Sequence, residues 1–341
     1  MNLENRIRPY YVCGGFPKAE SWIFFTPCGE IEIGGCNKAL EVLLPMCNGM
    51  NHIDFVRGKL EEMFSKEEVE ELLFALFQQF VLVDSNRIFQ VFYAYSKNPM
   101  HFFEALSAEE TSNFVGDQSH LPVIGGSCFE AKFQKNKLQE IMDKRCSTRE
   151  FSGETMDKET IFSLVWNAYG EQVKRMNGES DFLERTFTVP SGGALYPLFI
   201  YVVLFRQCGS LMEGIYLWHK EKNLLELVKA GNFLSEAEKI VSGIPSLKST
   251  VGLMCVVADF ERSAKKYSNK AYNLIQQEAG HVMQNVALFC ADNNIGVVEI
   301  GGYDDEPLAG FLNLSFPNQA PLIIAAFGKK GGNDDIRQSR Y

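Results

Sequence analysis

Two arginines and a serine alternate in the segment RCSTREF, residues 145–151. In an extended backbone alternate side chains point the same way, so Arg145, Ser147 and Arg149 would share one side. Guanidinium groups bind phosphate oxygens in bidentate fashion, and a hydroxyl adds a further contact. The spacing predicts a phosphate clamp; the alternative is two surface arginines and a serine in a turn.

Two glycine pairs each accompany a strongly apolar run. In TVPSGGALYP, residues 188–197, Gly192 and Gly193 precede the run LFIYVVLF, and in EIGGYD, residues 299–304, Gly301 and Gly302 follow an apolar segment. Without a Cβ, a glycine lets a flat ligand approach the backbone and its amide hydrogen-bond donor. A plain turn explains either pair alone. Two pairs and a clamp in one unit together favour a ligand site.

A lysine doublet and a tyrosine, Lys265, Lys266 and Tyr267, stand just before a long apolar segment. The doublet can be a solvated charge run. Alternatively, Lys266 and Tyr267 can lie over a bound ligand, where burial would lower the pKa of the lysine towards the range that suits a general base.

Other catalytic patterns find little support in the sequence. Glu278 and His281 have the spacing of one half of a carboxylate–histidine metal site, but there is no second copy, so we predict no metal. The sequence has no phosphate loop, no GxGxxG and no GxSxG motif, which argues against nucleoside triphosphate use and serine hydrolysis.

Composition restricts the class of protein. The chain has 341 residues, of which 46% are hydrophobic, so it can bury a sizeable core. Its formal net charge of −10 argues against a nucleic-acid partner. Nine cysteines without a Cys-x-x-Cys pair indicate reduced thiols. Neither a signal peptide nor a membrane-spanning run is evident, so we predict a cytoplasmic protein without a membrane partner.

Residues 1–95 are predicted to form a winged-helix-like domain. Ile31 and Ile33 alternate as in a strand, and three helical patterns follow between residues 37 and 80. The segment VLVDSNRIFQVFY is predicted to be a hairpin that turns at Ser85 and Asn86. Residues 50–84 hold three basic and eight acidic residues, so these helices offer DNA no basic face and a peptide partner is favoured.

This first unit resembles the peptide-recognition element of ribosomal peptide-modifying enzymes, the domain type of the pyrroloquinoline quinone pathway chaperone. The phrases that carry the resemblance are MCNGMNHIDFVRGKLEEMF and EEVEELLFALFQQFVLVDS. The resemblance implies that a precursor's leader peptide adds to a sheet edge as a strand. The alternative is an accessory domain that only packs on the enzyme.

After a connector at residues 96–137, residues 138–335 are predicted to form an α+β domain. Helical patterns occupy LQEIMDKR and DKETIFSLVWNAYG, the latter with Asp157 as its cap and Gly170 as its end. Five apolar strands are predicted, the last within APLIIAAFG. The longest helix, about residues 271–294, is apolar over much of its circumference, which is typical of a core or an interface.

Together these segments resemble the FMN-dependent nitroreductase superfamily, and more narrowly the SagB-type dehydrogenases, which oxidise azolines in ribosomal peptides. The resemblance covers about residues 140–330, with four motifs in the family's order and spacing. They are Arg145, Ser147, Arg149 and Phe151; Pro190, Ser191, Gly193, Ala194, Leu195, Tyr196 and Pro197; Glu278, Gly280, His281, Gln284 and Asn285; and Ile300, Gly301 and Gly302.

The resemblance implies a nitroreductase-like fold, an FMN cofactor and a homodimer with the flavin at the subunit interface. It implies Lys266 and Tyr267 as the catalytic pair, and a precursor peptide and a YcaO-type cyclodehydratase as partners. Two positions depart from the family pattern: Cys146 replaces an arginine, and Lys270 replaces another. The implied FMN contacts are Arg145, Ser147, Arg149, Pro190, Ser191, Gly192, Gly193, Ala194, Ile300, Gly301, Gly302 and Lys329.

The function that follows is oxidation of peptide thiazolines or oxazolines to thiazoles or oxazoles. Two alternatives stay open from the sequence. One is a nitro- or quinone reductase supplied with electrons by a nicotinamide. The other is a flavin-free scaffold that presents a peptide to a partner cyclodehydratase.

Overall fold

The computed structural model describes residues 7–26, 29–96, 107, 109–110, 135–172, 186–242, 244 and 246–331. In its first part three helices pack beside short strands, as the sequence predicts. The predicted strand at Ile31 and Ile33 is β4. The elements are β1 (Pro9–Tyr11), β2 (Gly14–Lys18), β3 (Ser21–Thr26), β4 (Gly29–Gly34), α1 (Asn37–Met46), α2 (Ile53–Glu61), α3 (Lys66–Gln78) and β5 (Leu82–Asp84).

One apolar cluster holds this first part together. Leu43 of α1, Leu60 of α2 and Leu73 of α3 are fully buried and share a core with Phe24 of β3. β2, β3 and β4 form an antiparallel meander, and β1 pairs with β5, which closes the two ends of the segment. The helices therefore form because each buries one apolar face against the others and the sheet.

The hairpin predicted around Ser85 and Asn86 is wrong. After β5 comes a short 3₁₀ turn, Ser85–Arg87, and then a helix, α4 (Phe89–Ser96). Phe89 and Tyr93, four residues apart, lie on one face of α4 and pack on Phe260 with ring centres 5.2 and 5.7 Å away. The aromatic run is compatible with both the two-residue repeat of a strand and the 3.6-residue repeat of a helix. Burial of Phe89 and Tyr93 on one side favours the helix. The winged-helix-like classification stays a prediction.

The second part is built on an antiparallel sheet, six strands in the described residues, ordered β10-β11-β9-β6-β7-β8. Its five predicted strands are confirmed, and β10 was missed. The strands are β6 (Leu198–Leu204), β7 (Gly214–His219), β8 (Leu224–Ala230), β9 (Gly252–Asp259), β10 (Ile295–Ile300) and β11 (Gln319–Lys329).

Helices cover both faces of this sheet, which explains why its central strand β9 is apolar along nearly its whole length. Met254 and Val256 face one core, and Leu253 and Cys255 face the other. The helices of this part are α5 (Lys137–Lys144), α6 (Lys158–Tyr169), α7 (Leu234–Ile240), α8 (Phe260–Tyr267), α9 (Lys270–Asp292) and α10 (Asp305–Phe311).

The capping signals of α6 are confirmed. The Asp157 carboxylate accepts hydrogen bonds from the Thr160 amide (2.6 Å) and hydroxyl (2.9 Å), and Gly170 ends the helix. An aspartate cap satisfies amides that would otherwise lack a partner at a helix start.

The long helix α9 is less uniformly apolar than predicted. Ile275, Ala279, Val282 and Val286 are buried against the sheet. The opposite face is exposed and polar but carries no charge between the ends of the helix. Its exposed residues are Asn273, Gln277, Gly280, His281 and Gln284.

The proposed division at residues 95 and 137 stays a prediction, since most of residues 96–137 lie outside the described part of the chain. Phe89 and Tyr93 of α4 belong to the apolar core of the second part. Helix α4, which follows the first part, thus packs directly against the sheet domain. Among the described residues, no helix has both the length and the apolar character to cross a bilayer.

Candidate active site

The glycine loop, residues 188–197, enters β6 through a 3₁₀ turn at Gly192–Ala194. Gly193, Ala194 and Tyr196 all have positive φ, at 64°, 54° and 48°. Ser191 stabilises this bend, because its Oγ accepts a hydrogen bond from the Tyr196 amide (2.9 Å). A left-handed backbone favours glycine, which explains the residue type at position 193.

The side chains of Lys266 and Tyr267 converge on Gly193. A Cβ added there would overlap the Tyr267 hydroxyl and lie 2.7 Å from Lys266 Nζ. Lys266 Nζ also lies 5.4 Å from the centre of the Tyr267 ring. Both residues occupy the last turn of α8, which ends at Tyr267 and is followed by the C-cap residue Ser268. A lysine amino group and a phenol therefore meet at one backbone position.

Replacing Gly193 with alanine is expected to lower kcat/KM by about 10- to 100-fold, because the new methyl group displaces Lys266 and Tyr267 from the loop. Strain at positive φ also lowers the free energy of unfolding, by about 1 kcal/mol. Gly209→Ala is the matched control, since Gly209 has a φ of 59° and its Cβ would meet only ordinary contacts at 3.5–3.6 Å. Equal kcat/KM values for the two variants, with equal stability losses, would show that the contact has no catalytic role.

Side chains of α9 fasten the start of the glycine loop. Asn285 donates hydrogen bonds from Nδ2 to the carbonyls of Asn167 (3.1 Å) and Thr188 (3.2 Å). Glu278, 3% exposed, accepts a hydrogen bond from the Tyr169 hydroxyl (2.6 Å) and another from Ser191. Burial raises the pKa of the Glu278 carboxyl, against the lowering effect of these hydrogen bonds.

The hydrogen bond between Glu278 and Tyr169 gives no support to a metal site formed by Glu278 and His281. His281 is exposed, whereas Glu278 points into the core. Among the described residues no group of three or more potential ligands gathers around a common point.

A buried lysine, Lys220, lies beneath the other end of the loop. Its Nζ donates hydrogen bonds to the carbonyls of Tyr196 (2.7 Å) and Leu198 (2.8 Å) and lies 4.5 Å from the centre of the Tyr169 ring. Sequence analysis missed Lys220 and Tyr169. The lysine sits among charged residues in a turn, where exposure is the usual expectation.

The predicted clamp follows α5. Arg145, Ser147 and Arg149 are exposed, while Thr148 is buried and its amide donates a hydrogen bond to the Val297 carbonyl (2.9 Å). Arg145 and Ser147 line a small cavity of about 30 Å³ against α9 and β10, whose wall includes Glu299. Guanidinium and hydroxyl donors thus border one cleft.

A larger cavity, of about 420 Å³, lies beside Ile300 and Gly301 and shares Glu299 with the small one. Tyr272 and Gln276 of α9 line its other side. Because both cavities are lined by Glu299, they are neighbours along β10. The volume of the larger cavity is in the range of small-molecule binding sites.

Two predicted contacts lie at the margins of this cleft. Gly302 accepts a hydrogen bond at its carbonyl from the Ser242 amide (2.7 Å) and does not line the cavity. Lys329, at the end of β11, forms an ion pair with Glu154 (3.0 Å), and both side chains are more than half exposed. A phosphate would have to compete with that carboxylate for Lys329.

The two halves of the predicted site lie on opposite sides of α9. Leu274 contacts Gly192 of the loop, and Glu278 contacts Ser191. Tyr272, Gln276 and Met283 line the clamp-side cavities instead. At 100° per residue, the two sets are roughly 120–200° apart around the helix. One chain brings Lys266 and Tyr267 to Gly193, but it does not bring them to the clamp.

Comparison with known proteins identifies relatives of the sheet domain. The sequence profile of the nitroreductase family matches residues 142–329, more than half of the chain. The "Putative nitroreductase MJ1384" of Methanocaldococcus jannaschii is 27% identical over 199 residues, which are 57% of this chain and 91% of that protein.

Two peptide-processing relatives match over shorter stretches. The microcin B17-processing protein McbC of Escherichia coli is 30% identical over 152 residues, 43% of this chain and 54% of McbC. The trifolitoxin-processing protein TfxB of Rhizobium leguminosarum is 26% identical over 132 residues, 38% of this chain and 35% of TfxB. This chain therefore matches about half of McbC and about a third of TfxB.

Among solved structures, a chain of the E. coli microcin synthetase McbBCD complex with truncated pro-MccB17 bound has a similar fold. The TM-score is 0.55 at 21% identity, and the match covers 73% of this chain and 94% of that one.

Proposed function

The chain belongs to the nitroreductase family, and on that premise we propose that it is an FMN-dependent azoline dehydrogenase. It would oxidise thiazolines or oxazolines in a ribosomally made peptide to thiazoles or oxazoles. The observation that supports this most is the convergence of Lys266 and Tyr267 on Gly193. A general base beside a ligand-facing loop is what removal of a ring proton requires.

The described residues fit FMN. Arg145 and Ser147, with Arg149 two residues on, offer the donor set that recognises a phosphate. The cavity along Glu299, Ile300 and Gly301 is wide enough for a ring system, and Gly193 supplies an exposed backbone without a Cβ. When bound, FMN supplies a two-electron acceptor for hydride.

Oxidation of an azoline to an azole removes two hydrogens from adjacent ring atoms. Lys266 or Tyr267 would take one as a proton, and bound FMN would supply the acceptor for the other as hydride. Dioxygen is the proposed acceptor that restores the oxidised cofactor. The protein contributes position and electrostatics.

We propose that the complete site forms between two copies of the chain. The clamp and the loop lie on opposite sides of α9, so the clamp side of one protomer would meet the loop side of its partner. The exposed face of α9 lacks charge between Asn273 and Gln284, and depletion of charge is typical of interface centres. Lys266, exposed in the single chain, would then be covered.

Subunit complementation tests the shared site. Co-expressing a Lys266→Ala chain with an Arg145→Ala, Arg149→Ala chain is expected to restore about a quarter of wild-type turnover, because half of the dimers are mixed and each has one intact site. Each variant alone is the control. If the mixed dimers form and stay as inactive as the two variants, the clamp and the loop act within one chain.

The proposed partners are a precursor peptide and a YcaO-type cyclodehydratase that forms the azolines. The names of McbC and TfxB refer to processing of peptides, and the McbBCD structure holds a truncated pro-microcin. The first domain would bind a leader peptide, in the cytoplasm. Its acidic helices favour a peptide over a nucleic acid.

A nitroreductase activity is the second candidate, supported by the match to MJ1384 over 91% of that protein. It predicts rapid reduction of the bound flavin by NADPH. An azoline dehydrogenase has no need of that reaction.

The test is to purify the protein and incubate it in air with a peptide that a cyclodehydratase has already cyclised. We expect a yellow protein with non-covalent FMN and a peptide mass lower by two hydrogens per ring. A colourless protein that leaves the peptide mass unchanged but stimulates the cyclodehydratase would identify a scaffold instead.

A further inference from the structure

Lys220 is a buried charged residue that the proposed chemistry does not use. It lies in the turn between β7 and β8 and is 7% exposed, whereas its neighbours Glu221 and Lys222 are exposed. Its two hydrogen-bond acceptors, the carbonyls of Tyr196 and Leu198, are where the glycine loop becomes β6. Lys220 therefore fixes the end of the loop.

The start of the loop is fixed by a matching acid. Glu278 accepts hydrogen bonds from Ser191 and from the Tyr169 hydroxyl (2.6 Å). The ring of the same tyrosine lies under the Lys220 ammonium, 4.5 Å from its centre. Tyr169 thus connects the acid at one end of the loop to the base at the other.

Retention of a charge in this position disfavours folding. Burial lowers the pKa of Lys220 to about 8, and Arg262 adds to that lowering, while Glu221, Glu278 and Asp259 oppose it. A buried ionic group can be less stabilising than an apolar residue of similar size. Perturbed buried groups of this kind gather at functional sites.

We propose that Lys220 is a positioning residue that holds Gly193 in register with Lys266 and Tyr267. With Tyr169 and Glu278 it sets the loop on which the flavin ring would lie. This inference rests on the proposed function. It predicts that disrupting the contacts of Lys220, Tyr169 and Glu278 weakens cofactor binding and turnover more than it lowers the stability of the fold.

Lys220→Met separates these roles, because methionine keeps an apolar stem like that of lysine, without the terminal amino group, and donates no hydrogen bond. We expect its Kd for FMN to rise about tenfold and its kcat to fall about tenfold with KM for the peptide unchanged, the pattern of an interaction made beyond substrate binding. The free energy of unfolding of the apoprotein at pH 7 is expected to stay equal or rise. Lys222→Met, an exposed lysine in the same turn, is the control.

The dependence of stability on pH gives a second readout. Because the folded-state pKa of Lys220 lies below its value of 10.5 in the unfolded chain, the unfolded state binds more protons between about pH 8 and 10.5. That difference makes the wild-type free energy of unfolding rise across this window. The Lys220→Met chain should lack this part of the rise, whereas Lys222→Met should keep it.

The proposal is overturned if Lys220→Met binds FMN and turns over substrate as Lys222→Met does. It is also overturned if the losses of FMN affinity and kcat in Lys220→Met are matched by a fall in its free energy of unfolding. Should Lys220→Met not fold, Tyr169→Phe removes only the hydroxyl that reaches Glu278, and an unchanged Kd for FMN would contradict the proposal. A wild-type protein that binds FMN but leaves azolines unoxidised refutes the proposed function alone, since the Kd comparison still tests Lys220.

Discussion

Replacing Lys266 with alanine is expected to lower kcat for azoline oxidation by about 10²- to 10⁴-fold, the usual contribution of a positioned general base. The Lys266 amino group meets the Tyr267 hydroxyl at Gly193, away from the clamp, so FMN should stay bound. Single-turnover bleaching of the flavin by a cyclised peptide measures this step directly. Tyr267→Phe, measured in the same way, shows how the proton transfer divides between the two side chains.

Lys265→Ala is the matched control, because Lys265 is an exposed lysine on the same turn of α8 that lines a different cleft, with Arg87 and Glu261. It should keep wild-type turnover. If Lys266→Ala also keeps full turnover, Lys266 is not the base, and Tyr267 becomes the candidate.

The second large effect is expected for the clamp. Replacing Arg145 and Arg149 together with alanine should raise the Kd for FMN by roughly 10²- to 10⁴-fold, because each charge-assisted hydrogen bond contributes about 1.5–3 kcal/mol. Fluorescence titration of the apoprotein measures this Kd. The physical reason is the loss of both exposed cations of the proposed phosphate clamp, where Cys146 contributes no positive charge.

Two controls identify the phosphate as the group recognised. Riboflavin, which lacks the phosphate, should bind the double variant and the wild type equally well. Lys144→Ala removes an exposed cation one residue before the clamp and should leave the Kd for FMN within about twofold, as expected for a surface charge. An unchanged Kd for FMN in the double variant would place the phosphate elsewhere, with Lys329 the next candidate.

Local patterns in the sequence predicted much of the sheet domain. Asp157 and Gly170 delimit α6 as capping rules require, and β9 is buried because a continuous apolar run needs cover on both faces. The loop at Gly193 was selected from its residue types and the family resemblance, and the resemblance singled out the pair at Lys266 and Tyr267. Their contact across more than 70 residues of chain became visible only in the fold.

The failures have identifiable physical causes. The aromatic run after Ser85 is compatible with a strand or a helix, and packing against Phe260, which is distant in the sequence, favours the helix. Lys220 was missed because a lysine in a turn is ordinarily solvated, and only the carbonyls of Tyr196 and Leu198 explain its burial. The hydrogen bond between Tyr169 and Glu278 was missed because the two residues are 109 positions apart in the sequence.

Lys266 departs from the surroundings expected of a general base. Such a base was expected to be buried, yet the Lys266 side chain is exposed in the single protomer. A partner protomer and a bound flavin would supply the missing cover, which connects the catalytic proposal to the dimer.

The most direct measurement mixes the FMN-loaded protein, without oxygen or nicotinamide, with a peptide that carries one azoline ring. We expect the visible absorption of the flavin to be lost in proportion to the rings supplied, and each peptide to lose two hydrogens. Flavin that keeps its absorption with this peptide, but loses it at once with NADPH, would contradict azoline oxidation and favour a nicotinamide-dependent reductase.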